Sequence, residues 1–198
     1  MKAGTGVGIA CAIGVASAGI VIGSRAVKIY DWRTEWTIPA PMPVVYEAMT
    51  SREAVREWWP DMELVVDNGD DDLQVGSTVS FRVHQAPEVA RFTPPFRIHC
   101  LYTDVERERR LRETVNGDLS GVLETLFHEH QDGTRITFNW YVRLTNPALN
   151  LLGYAAERVY RRSHDSVMTS GERGLSEYCK QRAASGRVDS TSGSYSGF

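Results

Sequence analysis

Between Thr134 and Leu144 apolar and polar residues alternate with the period of a strand that buries one face; after Asn146-Pro147 the period lengthens to three and four. Leu149, Leu152, Ala156, Val159/Tyr160, Ser163, Val167, Gly171, Leu175 and Tyr178 then fall on one stripe of a helix of about thirty-five residues. Asn146 is a good cap, and Pro147 sits at the first helical position, where a missing N–H costs nothing. A helix of roughly 50 Å, at about 1.5 Å per residue, has to bury its stripe against a large partner. The chain upstream offers mainly strands, so the pattern predicts an α+β domain in which a curved antiparallel sheet grips a long terminal helix.

Those strands are readable in turn. Trp32, Thr34, Trp36 and Ile38 alternate with Arg33, Glu35 and Thr37 up to Pro39. Residues 44–49 predict a short helix, and Thr50-Ser51-Arg52-Glu53 resembles a capping box that opens a second one ending before Pro60. Residues 62–66 and 78–84 predict a hairpin about Asn68-Gly69, with Val79, Phe81 and Val83 on one face. A further strand covers 96–103, and Asn116-Gly117 and Asp132-Gly133 signal two more hairpins. A two-residue loop at Asp132-Gly133 would set Phe127 opposite Phe138, Thr125 opposite Trp140 and Leu123 opposite Val142, leaving His128 and His130 on the solvent side. Gly121 is expected to mark a bulge, which leaves open whether Arg112 or Glu113 turns inward.

Composition adds limits more than detail. The 198 residues, 42% hydrophobic and 10% aromatic, suffice for one good core. A net charge of −3 and the lack of a Lys/Arg block interleaved with aromatics exclude a general nucleic-acid surface. Cys11, Cys100 and Cys179 are widely spaced and odd in number, which supports neither a zinc site nor a disulfide framework. No cofactor motif is present: Gly4-Thr5-Gly6-Val7-Gly8 lies outside any strand-turn-helix unit, and Asp70-Asp71-Asp72 lacks calcium-loop spacing. Nor does any serine sit in a Gly-x-Ser-x-Gly elbow.

The N-terminus stands apart. Residues 3–24 carry no charge, and about twenty-one helical residues reach about 32 Å, enough to cross the hydrocarbon core of a bilayer. Six glycines and the absence of Leu and Phe make insertion marginal, while Gly4/Gly8 and Gly19/Gly23 have the spacing that lets membrane helices self-associate. A single-pass anchor with a cytoplasmic domain is the favoured reading, because Arg25, Lys28 and Arg33 follow the segment and only Lys2 precedes it. The rival is a signal peptide cleaved near Ala18, after which the protein would be secreted. Domain limits follow as 1–29 for the anchor or signal, 30–184 for the folded domain, and 185–198 for a Ser/Gly-rich tail too polar to pack.

The element order, together with Trp36-Thr37-Ile38-Pro39-Ala40-Pro41, Trp58-Trp59-Pro60, Val75-Gly76, Gly117-Asp118-Leu119-Ser120-Gly121, Gly133-Thr134-Arg135 and His164 followed by Gly171-Glu172-Arg173-Gly174-Leu175, resembles the helix-grip fold of the START-like, or SRPBCC, superfamily. Within it the chain looks most like the polyketide cyclase/dehydrase-like branch, over about residues 30–182. The resemblance implies a hydrophobic cavity between sheet and helix, and members that include lipid carriers and aromatase/cyclases.

Trp36, Phe81, Ile98, Phe138 and Trp140 from the sheet, with Tyr160, His164 and Met168 from the helix, are therefore the candidate ligand contacts. Trp58 and Trp59 are expected near the cavity mouth, as a lid or membrane-contacting edge, or with one plugging the core. His164 is the one histidine that the helical stripe turns inward, and the only candidate acid/base, with Tyr160 or Arg112 beside it. The expected partner is a lipid, isoprenoid or polyketide-like small molecule, held by a membrane-tethered module; the alternatives are a cyclase/dehydratase and a ligandless membrane protein.

Overall fold

The computed structural model describes residues 27–67, 73–91 and 93–191. The expected anchor at 3–24, the Asn68-Gly69 turn and the end of the tail lie outside them. Seven antiparallel strands, β1 (Tyr30–Ile38), β2 (Met62–Asp67), β3 (Thr78–Val83), β4 (Phe96–Glu106), β5 (Arg110–Gly117), β6 (Leu119–His130) and β7 (Gly133–Leu144), form one sheet in the order β1-β7-β6-β5-β4-β3-β2. Helices α1 (Met42–Thr50) and α2 (Arg52–Trp58) follow β1, α3 (Pro87–Ala90) precedes β4, and α4 (Pro147–Ala155) and α5 (Glu157–Thr191) close the chain. The sheet curls into a half-barrel around α5, the helix-grip arrangement that the hydrophobic periods predict.

Local chemistry explains most boundaries. Ser51 caps α2 by accepting from the Ala54 N–H, and Asn146 caps α4 by accepting from Ala148 and Leu149 at 2.9 and 3.2 Å. The long helix predicted from Pro147 is interrupted at Ala156, with φ −103° and ψ 17°, so α4 and α5 are separate rods. α5 itself continues to Thr191, beyond the point where the tail was expected.

Two hairpins differ from their sequence readings. His130 pairs with Gly133, making Gln131-Asp132 the turn, so Phe127 lies opposite Ile136 and Thr125 opposite Phe138. Each partner is displaced by two residues, which preserves every face. Gly133 has φ +130°, and a Cβ there would collide with the Ile38 carbonyl oxygen, so this glycine serves close packing on β1 and not the turn itself. Asn116-Gly117 is likewise no two-residue hairpin. Asn116 and Gly117 go on pairing with β4 while Leu119 and Ser120 pair with β7, and Asp118 fastens the corner by accepting from Arg97 N at 2.8 Å. The bulge expected at Gly121 is not found: Gly121 pairs in register with Val115 on one side and Val142 on the other.

The inner face of the sheet carries Val79, Ile98, Cys100, Leu111, Val115, Leu123, Phe127, Ile136 and Phe138, all buried, and α5 contributes Val167, Met168, Leu175 and Cys179. Docking is close because α5 presents glycine where α2 and β1 are bulkiest. A Cβ on Gly171 would come within 2.6 Å of Trp59 and 2.7 Å of Trp36, and one on Gly174 would overlap the Trp58 carbonyl oxygen.

Candidate functional site

Between the sheet and the N-terminal half of α5 lies a hollow of about 110 Å³. Ile98, Trp140, Val142 and Leu144 form its sheet wall, Tyr160, His164, Val167 and Met168 its helix wall, and Trp59 closes one side. The lining is almost wholly apolar, a consequence of the alternation that sends even-numbered residues of β7 inward.

Of the ten candidate contacts, Trp59, Ile98, Trp140, Tyr160, His164 and Met168 line this hollow. Trp36, Trp58 and Phe138 do not. Trp36 and Phe138 pack with ring centroids 4.5 Å apart, and Trp58 meets Trp36 edge-on at 6.3 Å, so these three fill the solid half of the core beneath α2. Phe81 borders a separate recess of about 40 Å³ with Leu64, Val79 and Tyr102. The lid or membrane-edge reading of Trp58-Trp59 gives way to a plug. Both rings are buried and stacked at 5.0 Å, and their indole N–H groups donate to Ala48 O at 2.9 Å and Val167 O at 3.2 Å.

His164 does turn inward. Its ring lies 4.6 Å from that of Trp32 and 6.1 Å from that of Trp140, two tryptophans that pair directly across β1 and β7. Nδ1 is 3.3 Å from Asp165 Oδ1, the acidic neighbour that the sequence reading did not assign. With Nδ1–H donating to that carboxylate, Nε2 carries the lone pair and is buried with no partner among the described residues. Trp140 Nε1, Gln85 Nε2 and Tyr30 OH, from three further residues of the lining, are unpartnered in the same way. Each such group forfeits about 1–3 kcal/mol relative to a hydrogen-bonded one.

Burial holds His164 below the ordinary imidazole pKa, Arg161 adds to the lowering, and Asp165 opposes it. The unfolded chain therefore takes up a proton near pH 6.5 that the folded chain refuses, so stability present above this value is lost as the pH falls below it. His164→Gln is expected to flatten that acid limb in urea midpoints measured across the range. An unchanged limb would place His164 in water.

Arg112 drops out as a partner of His164: it is exposed on the outer face of β5. Glu113 is the residue that turns inward, at 6% exposure, between Tyr102 on β4 and Leu123 on β6. Desolvation raises its carboxyl to about pKa 7, against hydrogen bonds with Cys100 and Tyr102 that work the other way. Pattern reasoning missed it because parity could not be carried through the Gly117–Gly121 corner. His128 is exposed and Glu124 is bonded to Asn139 at 3.3 Å; among the described residues no three metal-ligating side chains converge.

A curled sheet clasping a helix around an apolar hollow defines the START-like, or SRPBCC, class of helix-grip proteins. Residues 39–169 match the family described as Activator of Hsp90 ATPase homolog 1-like protein, and the chain belongs to that family. This is the family that matches, in place of the polyketide cyclase/dehydrase branch that the motifs resemble. No curated protein matches the chain. Among solved structures it is similar to the TTHA0849 protein of Thermus thermophilus, with 18% identity, TM-score 0.59 and coverage of 77% of this chain and 99% of that one. A protein of unknown function from Staphylococcus aureus gives 16% identity, TM-score 0.57, and coverage of 79% and 97%. The di-domain ARO/CYC StfQ of the steffimycin biosynthetic pathway gives 13% identity and TM-score 0.61, over 86% of this chain and 57% of StfQ. At such identities the likeness concerns the fold.

Proposed function

We propose that this protein is a membrane-tethered module that binds or transfers a hydrophobic small molecule in the hollow between sheet and α5. The observation that carries the reading is the hollow itself, about 110 Å³ of almost wholly apolar space between the sheet and α5. An apolar cavity of about 150 Å³ accepts a benzene-sized guest, whereas sites for whole drug-sized molecules begin near about 300 Å³. The space thus seats a ring or a branched chain end, and the remainder of a lipid, isoprenoid or polyketide-like molecule extends past the lining. The unpartnered Trp140, Gln85 and His164 nitrogens give such a guest polar contacts if their side chains turn toward it. The uncharged stretch 3–24 supports the tethered part of the reading, and a tether would suit such guests, since they partition into the bilayer and an anchored cavity would meet them at raised effective concentration.

Native mass spectrometry of the full chain extracted from its own membranes is expected to show a co-purifying apolar mass. Leu119→Trp, whose bulk intrudes on the hollow from the sheet margin, is expected to lose it while staying folded. A bare protein under every extraction condition contradicts the reading. A cyclase/dehydratase is the second reading, favoured by the unpartnered His164 Nε2 beside Tyr160 in the lining and by the fold shared with StfQ. It requires that His164→Ala abolish turnover of an aromatic or polyketide-like substrate; unaltered turnover removes it.

A further inference from the structure

Helix α4 is inside out. Its sequence, PALNLLGYA, has no charge and one polar side chain, and that side chain, Asn150, is among the buried residues at 5% exposure. Leu151, Leu152 and Tyr154 are exposed at 55%, 52% and 52%, with Ala148 and Ala155 exposed beside them. A nine-residue surface helix ordinarily does the reverse.

The inversion is enforced by what lies beneath. Asn150 accepts from Lys28 N at 2.8 Å and donates to Lys28 O at 3.1 Å and Leu144 O at 3.2 Å, acting as a polar staple between α4, the approach to β1 and the end of β7. Gly153 rests on the Tyr30 hydroxyl with no room for a Cβ. With its inner side committed to Asn150 and Gly153, the helix shows its leucines and tyrosine outward. The staple also brings residues 27–29 alongside α4, and Val27 and Ile29 are exposed at 48% each. The outward face of α4 is thus Leu151, Leu152 and Tyr154, with Val27 and Ile29 exposed on either side of the Lys28 that Asn150 holds.

We propose that this face seats on a lipid bilayer with anionic headgroups; the inference rests on the tethered reading above and names the surface by which the tethered domain meets the membrane. Two observations select that occupant. The uncharged stretch 3–24 ends three residues before Val27, so a chain leaving a bilayer there places this face at the interface. Charge fits as well. Across 27–31 and 147–162 the chain has four basic side chains, Lys28, Arg158, Arg161 and Arg162, against two acidic ones, Asp31 and Glu157; Lys28 is paired with Glu157 at 3.0 Å, and the three arginines are exposed on the first turns of α5, which follows α4 directly, with Glu88 near Arg158 and Arg162. Tyr154 supplies the amphipathic ring that the interfacial layer favours. The face also lies over one end of the hollow, because Tyr30 and Tyr160 line that end and Leu149 and Ala156 pack against them.

The test uses the full chain carrying Cys11→Ser, with Leu152→Cys or, as a remote control, the exposed Val75→Cys, each labelled with an environment-sensitive fluorophore and reconstituted into phosphatidylcholine vesicles containing phosphatidylserine. Cys100 and Cys179 are buried and stay unlabelled. The expected result is flotation with the vesicles, loss of most of the emission at 152 to brominated lipid, and no quenching at 75. Flotation with a water-like signal at 152 overturns this inference and leaves the tether standing. Failure to float overturns both. A label at 152 that is already shielded without vesicles assigns the face to residues 3–24 or to a second copy, and overturns the inference as well.

Discussion

Glu113→Gln is expected to stabilise the protein by about 3 kcal/mol at about pH 8 and to change it little near pH 4. The carboxyl titrates near 4.5 when unfolded and about 7 when folded, because the inner sheet face offers it Cys100 and Tyr102 and no cation. Below the unfolded value both states hold the proton and nothing is lost. As the pH rises through the window from 4.5 to about 7 the unfolded chain releases a proton that the folded one retains, and stability falls; above it the full penalty persists. Glutamine keeps the shape and cannot ionise, so its advantage should appear over this same window and amount to roughly 10 °C in melting temperature. His164 works in the opposite sense, costing stability as the pH falls, so the two single variants separate the contributions. Denaturant midpoints across pH for the parent and the Gln variant check this; parallel curves would mean that Glu113 reaches solvent.

Gly174→Ala should destabilise strongly, by about 3 kcal/mol or more, although alanine in place of glycine within a helix ordinarily stabilises by about 1 kcal/mol. The sign reverses because the added methyl would overlap the Trp58 carbonyl oxygen, which is backbone and has nowhere to retreat while Trp58 and Trp59 stay stacked and bonded to Ala48 and Val167. α5 would have to rise off α2, uncovering Leu175 and Cys179, which are 0% and 1% exposed. Urea unfolding measures the loss. A neutral or stabilised variant would mean that the helix is not held where the close approach puts it.

Much of this architecture was legible because burial imposes different periods on strands and helices. The alternation in β1 and β7, the inward stripe from Tyr160 to Leu175 and the cap at Asn146 each follow from residues a few positions apart. What escaped the sequence depended on contacts between distant segments. The β6–β7 turn sits one residue earlier than expected, and each partner is displaced by two, because Gly133 is needed against Ile38. The helical period predicts a buried Leu152, yet it is exposed, since Lys28, more than a hundred residues earlier, claims Asn150 and turns that residue inward. Glu113 was hidden by a corner whose pairing changes strand midway. Six of the ten candidate contacts share the hollow, while Trp36 and Phe138 lie on the same sheet face but fall where α2, through its own Trp58, fills the groove. The pattern identifies that surface; it does not say where along the surface packing gives out.

The most direct test of the central claim is a titration of the full chain with a short-chain alkyl alcohol, followed by methyl NMR. Saturable shifts at Ile98, Val142, Leu144, Val167 and Met168 are expected, because these residues surround the hollow from both sheet and helix. Shifts that fail to saturate, or that remain at exposed positions such as Leu151 and Val75, would contradict the claim that the helix and sheet enclose a site for an apolar guest.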